Sequence, residues 1–100
     1  MLDINIEFSK GVLFVRLSGN INKENVSNIE DNVISVLKKS GIKYLVFNLS
    51  DLYFLESIDL FEKCNKVVEE NNGKMIICGN DNLNYLRAKN ELSALRMLTA

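Results

Sequence analysis

Hydrophobic and polar residues alternate at the start of the chain. Leu2, Ile4, Ile6 and Phe8 are interleaved with Asp3, Asn5 and Glu7, the period of a strand with one face in water. Ser9-Lys10-Gly11 is a turn signal, and residues 12–17 form a second apolar run, so the pair predicts an antiparallel hairpin. Arg16 is the single charge in that run, and its stem is expected to lie over apolar neighbours with its head in water. After Ser18-Gly19-Asn20-Ile21-Asn22 the period changes. Val26, Ile29, Val33, Val36 and Leu37 share one helical stripe, and Asn22 can accept from the free amides of a first turn. Lys38 and Lys39 fall in the last turn, where the helix dipole favours cations, and Gly41 suits the left-handed position just beyond it. The spacing predicts a helix over residues 24–39.

The chain is organised around residues 44–64. Tyr44-Leu45-Val46-Phe47-Asn48-Leu49 is nearly continuously apolar, as in a strand buried on both faces. Ser50-Asp51, a short apolar run 52–55 and a polar tip follow. Leu60, Phe61, Cys64, Val67 and Val68 then share one helical face, with Glu62, Lys63, Lys66, Glu69 and Glu70 elsewhere. This second helix is predicted to begin near Ser57 or Ile58 and to run to about residue 71. Ser57 fits its N-cap, and Asp59 suits the positive helix end. Residues 74–78 are apolar enough for an internal strand. Leu83 and Leu86, with Tyr85, predict a short third helix ending near Lys89. Residues 95–98 read either as a fifth, edge strand or as the end of a helix, with the strand preferred. The order β-β-α-β-α-β-α-(β) implies an α/β fold over a single domain, residues 1–100. Its mixed four- or five-stranded sheet has parallel inner strands and is packed by about three helices. A central strand leading through a loop into a helix places that loop at one rim of the sheet, where α/β proteins keep their sites.

Composition narrows the function classes. The chain has 100 residues and is 47% hydrophobic, enough for a core, and its net charge of −1 gives no electrostatic reason to expect nucleic acid. No apolar run reaches the ~18 residues that span a bilayer, and no signal peptide is visible, so a soluble cytoplasmic protein with no membrane insertion is expected. The absence of histidine excludes His-based triads and His-containing metal sites. Cys64 and Cys78 are the two cysteines; each lies in an apolar pattern and reads as a buried free thiol rather than half of a disulfide. Gly19 and Gly79 are isolated, so there is no glycine-rich phosphate loop. Asp51, Glu56 and Asp59 bracket the central loop, but scattered carboxylates of this kind read as solvated charges and helix caps, so no metal and no cofactor is expected. Ser57 has no identifiable base partner. With no polar constellation in view, catalysis is not expected.

Three stretches together resemble the STAS domain family, the sulfate-transporter and anti-sigma-factor-antagonist modules. Leu13-Phe14-Val15-Arg16-Leu17-Ser18-Gly19-Asn20-Ile21-Asn22 resembles the family's strand followed by Gly-Glu-Leu-Asp. Residues 44–60 resemble its strand, then Asp-Leu-Ser, then the Phe-Ile-Asp-Ser-Ser-Gly-Leu segment. Gly73-Lys74-Met75-Ile76-Ile77-Cys78-Gly79 resembles its Gly-Gly-x-hydrophobic strand. There are departures. In Glu56-Ser57-Ile58-Asp59-Leu60, Ser57 matches the first small position, Ile58 occupies the position of the usual phosphoacceptor, and Asp59 occupies that of the glycine. The acidic pair of the first loop is muted to Asn20 and Asn22. The helix that usually follows the last strand is expected to be absent, since the chain stops at Ala100.

The resemblance implies a non-catalytic protein-interaction module similar to an anti-sigma factor antagonist. Its partner would be an anti-sigma factor or related kinase, bound through the rim at the start of the second helix without the usual serine phosphoswitch. The residues implied in binding are Asn20, Asn22, Ser50, Asp51, Glu56, Ser57, Ile58, Asp59 and Glu62, and Ser57 is the one hydroxyl beside the altered phosphoacceptor position. The alternative is a STAS-type accessory subunit that regulates a transporter ATPase. The bland reading of the same segment is that Leu55, Ile58 and Phe61 are core residues and the loop only a connection. The pattern leaves the oligomeric state open.

Overall fold

A computed structural model describes residues 2–99, with the backbone alone at Thr99. The elements follow as β1 (Leu2–Ser9), β2 (Val12–Ile21), α1 (Val26–Ser40), β3 (Tyr44–Leu55), α2 (Asp59–Glu70), β4 (Lys74–Cys78), β5 (Leu86–Ala88) and α3 (Glu91–Thr99). The strands lie in chain order, β1-β2-β3-β4-β5, in one sheet. β1 is antiparallel to β2, and the other pairs are parallel. The hairpin, the parallel inner strands and the three helices agree with the α/β architecture expected from the pattern.

Alternation on the strands divides the interior in two. Leu13, Val15, Leu17, Leu45, Phe47, Leu49, Met75 and Ile77 face α1 and α2 and make the larger core. Within it the Phe47 and Phe61 rings meet edge-on, with centroids 5.0 Å apart, an arrangement that suits the aromatic quadrupole. Val12, Phe14, Val46, Ile76 and Cys78 face the other way and are covered by Ala94, Leu95 and Leu98 of α3. The first half of β3, residues 44–49, and β4 are therefore buried on both faces, which is why these stretches are nearly continuously apolar. Cys64 and Cys78, both free and buried, lie in the two different cores.

Local signals set the helix ends. Asn22 Oδ1 accepts from the amides of Glu24 and Asn25, while Asn25 Oδ1 accepts from the amide of Asn22, a reciprocal cap that starts α1 at Val26, two residues beyond the predicted start. Gly41 closes the helix at φ 59°, and its amide bonds the Leu37 carbonyl.

Four expectations are corrected. Residues 83–89 are not a helix: 81–85 is irregular, with Leu83 buried in the larger core and Tyr85 half-buried against it, and 86–88 pairs with the free edge of β4 as β5. One apolar turn is too short to nucleate a helix against a waiting strand edge. Residues 95–98 are not an edge strand but part of α3, and the terminal helix expected to be absent is present. Asn90 starts it, its Oδ1 accepting from the Ser93 amide and its carbonyl from the Ala94 amide. β3 does not stop at residue 49, nor β2 at 17. Both continue as a two-stranded ribbon, Ser18–Ile21 against Asp51–Leu55, with irregularities between Arg16 and Ser18 and between Gly19 and Asn20. Finally, the Arg16 head is not simply in water. Nε and Nη2 donate to the two carboxylate oxygens of Glu91 at 2.8 Å each, and Nη1 donates to Asn5 and Glu7.

Candidate functional site

β4 ends at Cys78, opposite Asn48, so β3 outruns it and its last residues have a strand neighbour on one side only. The β2/β3 ribbon projects from the sheet and delivers the chain to the start of α2. Leu52 and Leu55 turn back onto the larger core. Tyr53 and Phe54 turn out and are 88% and 55% exposed.

The ribbon tip is stitched to the α1 entry. The Glu56 amide donates to the Ile21 carbonyl at 2.9 Å, and Glu56 Oε2 accepts from the Lys23 amide at 2.7 Å. Asn20 is paired with Phe54 in the ribbon, and its carbonyl accepts from Asn25 Nδ2. Asn20, Asn22 and Glu56 are thus drawn together by backbone pairing and by a shared cap.

Ile58 is the residue at the head of α2. Its carbonyl accepts from the amides of Phe61 and Glu62, while its side chain, 43% exposed, makes no cap. It is therefore not a core residue, as a bland reading of the segment would have it. Ser57 Oγ accepts from the Asp59 amide at 3.3 Å, one of the free donors of the first turn. Asp59 and Glu62 occupy that turn, where the helix dipole favours carboxylates. Glu62 also lines a shallow groove with Asn65, Lys66 and Tyr85. Burial, and then the nearby Glu62 carboxylate, raise the Tyr85 hydroxyl above its ordinary range.

The remaining two residues lie apart from this tip. Ser50 and Asp51 sit at the base of the ribbon, five or more residues before Glu56, roughly 15 Å at strand rise. Ser50 packs against Gly79, whose φ of 80° and whose closeness to Ser50 (an added Cβ would fall 2.5 Å from the Ser50 amide nitrogen) leave no room for a side chain. Asp51 opens into a groove on the α3 side of the sheet with Asp3, Asn5, Arg16, Ser18 and Asn48. Among the described residues no group of three carboxylates or thiols is placed to hold a metal ion.

Sequence reasoning did not single out Tyr53 and Phe54. No local signal marks them: they are uncovered because β3, at 12 residues, runs past β4, at 5, and that difference in length appears only in the structure.

A family model described as the STAS domain matches residues 3–82, and the chain belongs to the STAS domain family. Three solved structures extend the likeness. A putative anti-sigma factor antagonist from Thermotoga maritima superposes with a TM-score of 0.87 at 13% identity, covering 97% of this chain and 95% of that one. An anti-sigma factor antagonist from Mycobacterium paratuberculosis gives 0.84 at 17% identity, covering 100% and 96%. The Bacillus cell fate determinant SpoIIAA in its phosphorylated form gives 0.77 at 15% identity, covering 95% and 99%. At such identities the likeness is one of fold, and it extends past the family match to include β5 and α3.

Proposed function

We propose that this chain is a non-catalytic protein-interaction module of the anti-sigma factor antagonist kind, which binds an anti-sigma factor or related kinase through the rim at the start of α2. Membership of the STAS family supports a protein-interaction role. The observation that carries the finer reading is the exposed apolar tip. Tyr53, Phe54 and Ile58 are exposed; Asn20 pairs with Phe54 in the ribbon, and the polar Glu56, Ser57, Asp59 and Glu62 lie within four residues of Ile58 in the chain. An apolar and aromatic centre inside a polar rim is the anatomy of a protein-binding hot spot.

The same residues oppose a serine phosphoswitch. Ile58 has no hydroxyl to accept phosphate, and the Ser57 oxygen is turned to the Asp59 amide. Asp59 and Glu62 supply fixed negative charge at the helix start instead, so binding is constitutive or governed by abundance.

Capture from the native extract, with mass spectrometry of what is retained, tests the reading. An ATP-binding anti-sigma factor held by the wild-type chain and lost with Phe54→Ala or Asp59→Lys is the expected result. Retention of transporter ATPase subunits would establish the accessory-subunit role in its place. Equal retention by the wild type and Phe54→Ala would remove the tip from the interface.

A further inference from the structure

The two edges of the sheet are built differently. β5 has 3 residues, too short to template another strand. β1 has 8, and it pairs with β2 from Leu2 to Ser9 without a bulge. It carries no lysine or proline, its two charges are Asp3 and the already paired Glu7, and among the described residues no strand pairs with its outer edge. Edges of this length are ordinarily protected by charge, proline or a twist-inducing bulge. The side chains on its α1 face are only partly covered: Ile6 is 39% and Phe8 59% exposed, and Ile4 resembles Ile6.

We propose that β1 pairs antiparallel with β1 of a second copy of this chain, joining two sheets across a two-fold axis at Ile6. The register follows from the sequence of the strand. An antiparallel pair about an axis normal to the sheet keeps apolar residues on one face only if the axis passes through a residue. With the axis at Asn5, Asp3 meets Glu7 of the other copy; with the axis at Glu7, that carboxylate meets itself. Like charges directly opposite are destabilising. With the axis at Ile6 these conflicts vanish, and of the conflict-free registers this one pairs the longest stretch of the strand, residues 3–9, against 2–6 about Ile4 and 7–9 about Phe8. Ile6 meets Ile6, Ile4 meets Phe8, Asn5 meets Glu7 as amide to carboxylate, and Asp3 meets the hydroxyl of Ser9. On the polar face Glu7 is already bonded to Arg16 at 2.8 Å, so its charge is compensated before the copies meet. A net charge of −1 offers little general repulsion. The self-complementarity about one residue is what selects a second copy over an unrelated strand. The axis would also set the two α2 rims at opposite ends of the joined sheet.

Sedimentation equilibrium of the untagged chain, from micromolar to millimolar concentration, reads the association directly. The expected result is a species of twice the 11.4 kDa chain mass, weakened at least tenfold by Ile6→Lys, which sets two ammonium groups against each other on the axis. Oxidative cross-linking reads the register without relying on that variant. Cys64 and Cys78 are buried, so an introduced thiol is the accessible one. Ile6→Cys should give a covalent dimer, whereas Asn5→Cys, two residues out of step with its own copy, should not, because disulfides do not bridge such a span. A wild-type chain that stays monomeric throughout, a dimer indifferent to Ile6→Lys, or cross-linking through Asn5→Cys in preference to Ile6→Cys would overturn the proposal.

Discussion

Arg16 shows how much one side chain can be redirected by what packs over it. It lies on the sheet face that α3 covers, its guanidinium 5.6 Å from the Phe14 ring centre and forked onto Glu91, which also accepts from Asn48. Arg16, with a smaller contribution from Asn48, holds the Glu91 carboxyl below its ordinary value of 4.5 against the opposing effect of burial. The group therefore adds stability that is complete above that ordinary value and is lost as pH falls through the lowered native one. Glu91→Gln should cost about 1 kcal/mol at neutral pH, at the low end for a charge-assisted pair because Arg16 is about one-third exposed. It should also flatten the acid limb of stability, and denaturant unfolding followed from neutral to acid pH reads both effects. A parallel argument applies to the thiols. Burial pushes Cys64 up to about 12 and Cys78 to about 11, with lesser contributions from Glu30 and Glu91 respectively. Both should resist alkylation in the native protein at neutral pH and react fully once it is unfolded. Rapid native modification of either would show that its cover opens.

Among the elements, β3, like its neighbour β2, contributes to both cores, and Val46 is fully buried within it. Val46→Ala should destabilise by roughly 2–4 kcal/mol if the site does not collapse, measured as a shift in the denaturant midpoint at constant slope. Gly79→Ala should cost about 1–3 kcal/mol, since the backbone conformation and the Ser50 contact both reject a Cβ. α3 is the element whose identity was hardest to see. Its nine residues carry apolar side chains at Leu92, Ala94, Leu95, Met97 and Leu98, a pattern that partly fits strand alternation. Only the packing of Ala94, Leu95 and Leu98, with Leu92 and Met97 left exposed, singles out the helical face. Asn90 was the decisive local signal, and it weighs little until there is an open sheet face for the helix to cover.

At the scale of the whole molecule, the rim argument yields two expected outcomes. Reversing Asp59 and Glu62 to Lys should weaken partner binding while shifting the melting temperature little, because both side chains are exposed. Protein isolated from its own cells should show an intact mass without phosphate at Ser57. A substantial Ser57-phosphorylated fraction, lost in Ser57→Ala together with regulated binding, would mean the switch had moved by one residue. The sequence by itself determined the parts whose signals are local. Nearly continuous apolar runs mark β4 and the doubly buried first half of β3, the 3.6-residue period marks α1 and α2, and Asn22 and Gly41 mark where α1 begins and ends. The order of motifs pointed to the STAS family. It also showed that Ile58 replaces a hydroxyl, since that is a matter of identity rather than geometry. Only the tertiary structure decided the rest. β5 exists because β4 offers a free edge, and β2 and β3 lengthen because each supplies the other's hydrogen bonds past the end of the sheet. Arg16 finds its partner 75 residues away, and Tyr53 and Phe54 become surface because no neighbour reaches that far along β3. Each of these outcomes depends on contacts distant in the chain, and no window of neighbouring residues contains them.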